Sequence, residues 1–272
     1  MCYLHCNCTI ERIDNLEKIY TKARAKINLT LNVLDKRPDN YHNLESIFQK
    51  INLYDELYIG KTDGEDLELI SNLKNVKLED NIIYKAYIKL KEKYNVIKGI
   101  KVILNKKIPT EAGMAGGSTD CASFILAVNR LYNLNMSEME LIKLGKNLGA
   151  DVCPCYYNAA VKGEGIGEII TKINTRFKYY ILVIKPQISY STKNMFRKID
   201  ETEHLRKAQM SVPIIEALET ENLELLCENL YNVFEEVIEE KDIINELKSK
   251  LIENGAMRSI NDWFRVMCLW NL

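Results

Sequence analysis

The sequence predicts an α+β protein of two domains, and three observations carry that reading. Residues 23–33 alternate apolar and polar like a strand. Residues 100–131 read as strand, glycine-rich loop and amphipathic helix. Residues 179–185 form an apolar strand, followed over 211–254 by at least two helical segments. The 272 residues suffice for one large or two small cores, and the glycine-rich stretch at 163–168 (GEGIGE) marks the exit from the first domain. The expected organisation is an extension over 1–18, a first domain over 19–168 and a second over 169–272.

Composition excludes several classes of function. The net charge of −1 gives no bulk attraction for nucleic acid. No apolar run is long enough to span a bilayer, and residues 1–20 lack the apolar segment of a signal peptide, so a cytoplasmic protein without a membrane partner is expected. Of the eight cysteines, Cys2, Cys6 and Cys8 crowd the start beside His5. No second ligand pair lies at zinc spacing, so an unstructured end is preferred to a metal knuckle. Cys121, Cys153, Cys155 and Cys227 sit in apolar contexts and read as reduced core thiols.

Taken in order, the first strand places Ala25, Ile27, Leu29, Leu31 and Val33 on one face. Lys26 and Asn28 share the other face, close enough to reach one ligand or to lie in solvent. A turn over 35–42 ends in Tyr41 and His42, which can meet an aromatic base or pack at a sheet margin. A second strand pair is expected over 44–59, with a turn near 53–55. The helix over 80–93 takes Asp80 as N-cap. After the loop, the helix over 137–148 opens with a Ser137-x-x-Glu140 capping box and closes at Gly149 as C′. Asp151 follows directly, either as a turn residue or as a base beside a hydroxyl. Residues 186–199 are a loop leading to a short helix that contains Phe196.

The loop reads Pro109-Thr110-Glu111-Ala112-Gly113-Met114-Ala115-Gly116-Gly117-Ser118-Thr119 and leads into a helix over 120–131. Glycines let a backbone approach an anion, and a helix N-terminus offers free N–H groups and a favourable dipole. Ser118 and Thr119 are placed to cap that helix or to meet a phosphate or its metal. No Gly-Lys-Ser/Thr follows, so this is not a Walker loop, and the glycine spacing differs from the dinucleotide fingerprint.

These pieces, in this order, resemble the GHMP kinase superfamily. Within it the chain is similar to the kinases of diphosphocytidyl-methylerythritol. Ala25-Lys26-Ile27-Asn28-Leu29, then Asp39-Asn40-Tyr41-His42-Asn43-Leu44 and Phe48-Gln49, match the opening motifs. Pro109 to Asp120 matches the phosphate loop, and Gly149-Ala150-Asp151-Val152 and Glu164-Gly165-Ile166-Gly167-Glu168 also match. The resemblance implies an N-terminal domain like ribosomal protein S5 and a ferredoxin-like C-terminal domain. It implies ATP-dependent phosphorylation, with Mg²⁺, of the 2-hydroxyl of a cytidine-diphosphate-linked methylerythritol in non-mevalonate isoprenoid synthesis. Lys26 and Asp151 would be the catalytic pair, the loop with Lys106 nearby would hold ATP, and no protein metal ligand is assigned. Tyr41 would stack on cytosine opposite Phe196, with His42 and Asn28 as hydrogen-bonding partners of the substrate. Glu111 and Cys153-Pro154 depart from the family pattern.

Both ends depart from it as well. The family's C-terminal glycine-serine loop is missing, and both tryptophans lie in the tail that replaces it. Deleting one base after the Met257 codon of a back-translation restores that loop, so 258–272 are expected to be out of frame. The loss would uncover apolar surface, and it leaves two alternatives beside the kinase reading: another GHMP small-molecule kinase, or a nucleotide-binding but inactive product. Near the start, Leu16 fits an alternative initiation site.

Overall fold

The computed structural model describes residues 8–13, 16–73, 76–186, 191–202, 211–262 and 265–270. The expectations for Cys2, His5, Cys6 and Trp263 lie outside them. The chain forms two compact units interleaved in sequence. The first runs up to Lys26 and continues with Lys50–Pro109 and Met114–Asn158; the second holds Ile27–Gln49, Thr110–Gly113 and the chain from Ala159 on.

In the first unit, β1 (Cys8–Ile13) pairs antiparallel with the start of β2 (Leu16–Lys36), so part of the 1–18 extension, expected to be unstructured, forms a hairpin. β3 (His42–Lys61) is one continuous strand. The turn expected near 53–55 does not form, because Asp55, fully buried, is satisfied inside the fold rather than by solvent. β4 (Leu67–Ser71) runs parallel to β5 (Ile100–Asn105), joined through α1 (Ile82–Lys93), and Glu56–Lys61 of β3 pair antiparallel with β5. Asn81, not Asp80, caps α1: its side chain accepts from Ile83 N at 2.9 Å, while Asp80 ends a preceding 3-10 turn.

α2 (Gly116–Leu131) starts four residues earlier than its apolar pattern suggests, with Ala115 as N-cap. Ser118 and Thr119 therefore do not cap it. Read from the sequence as amphipathic, the helix is instead buried almost all round, through Cys121, Phe124, Ile125, Ala127 and Val128 together with the polar Thr119 and Asp120. The capping box forms on α3 (Glu138–Lys146), which ends at Asn147, so Gly149 is not its C′ residue. α4 (Val152–Cys155) follows.

In the second unit, β6 (Val161–Gly165) pairs with Leu44–Phe48 of β3 and forms a hairpin with β7 (Ile169–Lys172). Gly163 is required there: a Cβ would lie 2.4 Å from the Phe48 ring. β8 (Tyr180–Ile184), α5 (Thr192–Glu201), α6 (Ser211–Glu219), α7 (Leu223–Asn229), β9 (Tyr231–Asn232), α8 (Phe234–Val237) and α9 (Lys241–Glu253) complete the order before β10 (Arg258–Asp262) and β11 (Arg265–Trp270). β8 is not the buried strand its apolar sequence suggests, since Tyr180 and Leu182 are exposed. The expectation of uncovered apolar surface at the tail is also corrected. β11 pairs with both β8 and β10, and Ile260, Val266, Met267, Cys268 and Leu269 are buried. The core of this unit gathers Leu31, Ile199, Phe234, Ile244, Leu251 and Val266.

The polar face of β2 is not solvated. Lys26, Asn28, Thr30 and Asn32 are all buried. Cys121, Cys153, Cys155 and Cys227 are free buried thiols. Among the described residues no helix is long and apolar enough to cross a membrane.

Candidate active site

The glycine loop is built for close backbone approach. Glu111, Gly113 and Ala115 have φ of 52°, 67° and 54°, a left-handed alternation that only glycine adopts without cost. At Gly116 a Cβ would come within 3.1 Å of Lys106 Nζ and 3.2 Å of Ile108 Cγ2, so a side chain there would make these neighbours give by a few tenths of an ångström. Ala115 caps α2 without a side-chain acceptor, and the N–H groups of the first turn have no intrahelical partner. This is a ready anion site on a sixteen-residue helix.

The loop is tied to β2 within the first unit. Lys26 N donates to Met114 O at 3.1 Å. Thr119 Oγ1 donates to Arg24 O at 2.7 Å and accepts from Lys50 Nζ at 3.1 Å, so its hydroxyl faces the fold. Lys50 Nζ also donates to Arg24 O at 3.0 Å. Burial pulls the Lys50 ammonium below the ordinary lysine range, and neighbouring Lys26 works in the same direction.

Lys26 and Asp151 meet. Lys26 Nζ lies 3.3 Å from Asp151 Oδ1, with the lysine side chain 2% exposed and the aspartate 43% exposed. Asp151 takes the N-cap position of α4 but makes no capping bond with its side chain, so its carboxylate is not consumed by the helix. A buried ammonium beside an accessible carboxylate can orient a hydroxyl, accept its proton and stabilise charge that develops on the oxygen.

Lys106 does not project into solvent. Its side chain is 7% exposed, and its ammonium pairs with Asp55 and with Asp120 Oδ2, the latter at 2.7 Å. Asp55 also accepts from Lys107 N at 2.5 Å and Ile108 N at 2.8 Å.

The second unit holds the other expected residues. Tyr41 is 59% exposed at the end of a turn through Asn40, whose φ is 64°. His42 is buried, its Nε2 2.7 Å from Asp200 Oδ1. Phe196 stacks on the His42 ring with centroids 4.9 Å apart and planes 14° apart, and meets Phe234 edge-on at 5.3 Å. Phe196 thus lies against His42. Asn28 is buried and donates to Ser46 Oγ at 2.8 Å.

Asp55, Lys50, Ser46 and Asp200 were not singled out from the sequence. Asp200 left one signal: it lies four positions after Phe196 on the same helix face. Its carboxylate is held below the usual range; burial opposes this, but hydrogen bonds from Lys36 and His42 outweigh it. An ionised carboxylate only accepts, so Nε2 of His42 carries a proton. Asp200→Asn is expected to release the ring into mixed tautomers, read from nitrogen shifts in imidazole NMR spectra. A His42 spectrum unchanged by the substitution would rule this coupling out.

Comparison with known proteins places these features in a family. Residues 81–159 match the GHMP kinases N terminal domain. The chain is 38% identical over 238 residues to a 4-diphosphocytidyl-2-C-methyl-D-erythritol kinase of Clostridium tetani, covering 87% of this chain and 84% of that one. It is 40% identical over 249 residues to the same kinase of Thermoanaerobacter pseudethanolicus, covering 89% and 83%. A crystal structure of 4-(cytidine 5'-diphospho)-2C-methyl-D-erythritol kinase shares the fold, with a TM-score of 0.74 at 24% identity, over 92% of this chain and 89% of that one. Likeness of this extent to several kinases over most of both chains means that the chain belongs to the 4-diphosphocytidyl-2-C-methyl-D-erythritol kinase family of the GHMP kinases.

Proposed function

We propose that this protein transfers the γ-phosphoryl group of ATP to the 2-hydroxyl of 4-diphosphocytidyl-2-C-methyl-D-erythritol, in the cytoplasm, as a step of isoprenoid precursor synthesis. The observation that carries the reading is the Lys26–Asp151 pair, in a chain whose relatives bear that kinase name. Asp151 orients the hydroxyl and takes its proton, and Lys26 stabilises the charge left on the oxygen. Phosphoryl transfer asks for positioning and charge neutralisation more than covalent chemistry, and this pair offers both.

The loop from Pro109 to Ser118 cradles the ATP phosphates. The left-handed positions and the open first-turn N–H groups of α2 fit an anion, with Thr119 and Lys106 holding the loop from behind. The half-buried Ser118 hydroxyl lies in the first turn of α2, beside the loop, and fits an oxygen-seeking Mg²⁺. Bound there with the nucleotide, the ion would neutralise phosphate charge. Tyr41, His42 and Phe196 hold the cytosine end, and Asn28 the erythritol end. In this reading residues 19–168 are the N-terminal ATP-binding domain of the family and 169–272 its C-terminal domain, a division by sequence that differs from the interleaved compact units.

The test is ATP-dependent phosphorylation of the substrate by the whole chain, followed by phosphorus NMR, with homoserine and mevalonate as comparison acceptors. Transfer only to the diphosphocytidyl compound is expected. Transfer only to another acceptor would move the protein to a different GHMP activity, and ATP binding without transfer would make it a nucleotide binder.

A further inference from the structure

The two ends of the nucleotide loop are fastened together from inside the protein. Lys106, just after β5, and Asp120, in the second turn of α2, lie fourteen positions apart and enclose the whole loop. Lys106 Nζ pairs with Asp120 Oδ2 at 2.7 Å and with Asp55 on β3. Asp55 is fully buried, and its other oxygen accepts from Lys107 N and Ile108 N, the last amides before Pro109. The backbone of Lys106 is pinned too: its N–H donates to Asn72 Oδ1 at 2.8 Å and its carbonyl accepts from Asn72 Nδ2 at 3.0 Å. Gly116 lies directly over this lysine, since a Cβ there would meet Nζ at 3.1 Å. The ammonium therefore supports the loop backbone where the open N–H groups begin.

We propose that Asp55 and Asp120, acting through Lys106, are positioning residues that hold the nucleotide loop in its anion-binding shape. The proposal rests on the reading that this loop binds ATP. A glycine-rich loop left unfastened samples many conformations, and ordering it on binding costs affinity. A buried ion-pair network removes that cost in advance, at the expense of desolvating three charges. Asp120 bears most of that expense. Its Oδ1 is buried without a hydrogen-bond partner, and burial drives its carboxyl well above the usual range, with Asp55 adding to the rise and Lys106 opposing it. Asp55, which holds two backbone N–H groups besides the lysine, keeps the negative charge that Lys106 needs. The network thus leaves Lys106 no free charge for a phosphate and acts on the nucleotide through the loop.

The test uses Lys106→Met and Asp55→Asn in the full chain, the second retaining oxygen and nitrogen where the carboxylate stood. Both are expected to raise KM for ATP about tenfold while KM for the phosphoryl acceptor moves less than twofold. Amide hydrogen exchange over 107–119 should quicken about tenfold in Asp55→Asn without added ligand. Unchanged exchange together with an unchanged KM for ATP in a folded variant would overturn the proposal. If the wild-type chain binds no ATP while exchange still quickens, the fastening stands and the kinase reading falls. If Lys106→Met does not fold, the Asp55→Asn measurements decide alone.

Discussion

Replacing Asp151 with asparagine is expected to lower kcat about a thousandfold while KM for ATP stays within about twofold. The amide keeps the shape of the carboxylate and loses its basicity. Asp151 is 43% exposed and spends no bond on capping α4, but it faces the buried Lys26 ammonium, so the substitution should also lower the melting temperature by a few degrees. Lys26→Met should act on the same step, lowering kcat by about two to three orders of magnitude, because the ammonium matters most when charge builds on the attacking oxygen. The double variant should be little worse than the poorer single one, as expected of groups that work as a unit. Steady-state kinetics with both substrates varied, alongside thermal melts, gives the answer. An Asp151→Asn enzyme that keeps more than a tenth of its kcat would remove Asp151 as the base.

The largest effect on stability is expected from Phe234→Ala. Phe234 is fully buried in the core of the second unit and supports Phe196 edge-on at 5.3 Å. Deleting the ring loses its transfer free energy and leaves a cavity, together about 3–5 kcal/mol. In a chain of this size that corresponds to roughly 10 °C in Tm. Phe196 stacks on His42, so the loss should spread to the buried histidine and raise KM for the cytidine substrate more than KM for ATP. Phe234→Leu preserves most of the volume and should cost less than about 1.5 kcal/mol. Denaturant melts of both variants make the comparison, and an alanine variant as stable as the leucine one would show that the ring does not organise this core.

Much of the site could be read along the chain because its signals are local. The strand carrying Lys26, the glycine run and the capping box of α3 each lie within one short window. Readings that failed had a competing local rule. Asn81 outbid Asp80 because its side chain reaches Ile83 N, and the glycines expected in a loop joined α2 because Ala115 supplies the left-handed turn that starts it. The continuous β3 was missed because a buried aspartate in an apolar strand resembles a turn until its partners are known.

By itself, then, the sequence determined the α+β pattern and the glycine loop before its helix, whereas the pairing of Lys26 with Asp151, which the fold brings within 3.3 Å, was implied by the family resemblance and not by either residue's own surroundings in the chain. Only the tertiary structure decided which buried polar groups satisfy one another. Lys106 finds Asp55 at a separation of 51 residues, and His42 finds Asp200 at a separation of 158. Periodicity reports which face of an element is apolar, and so predicts burial. It carries no record of the partner that makes burial of a charge tolerable, because that partner arrives from another element when the core closes.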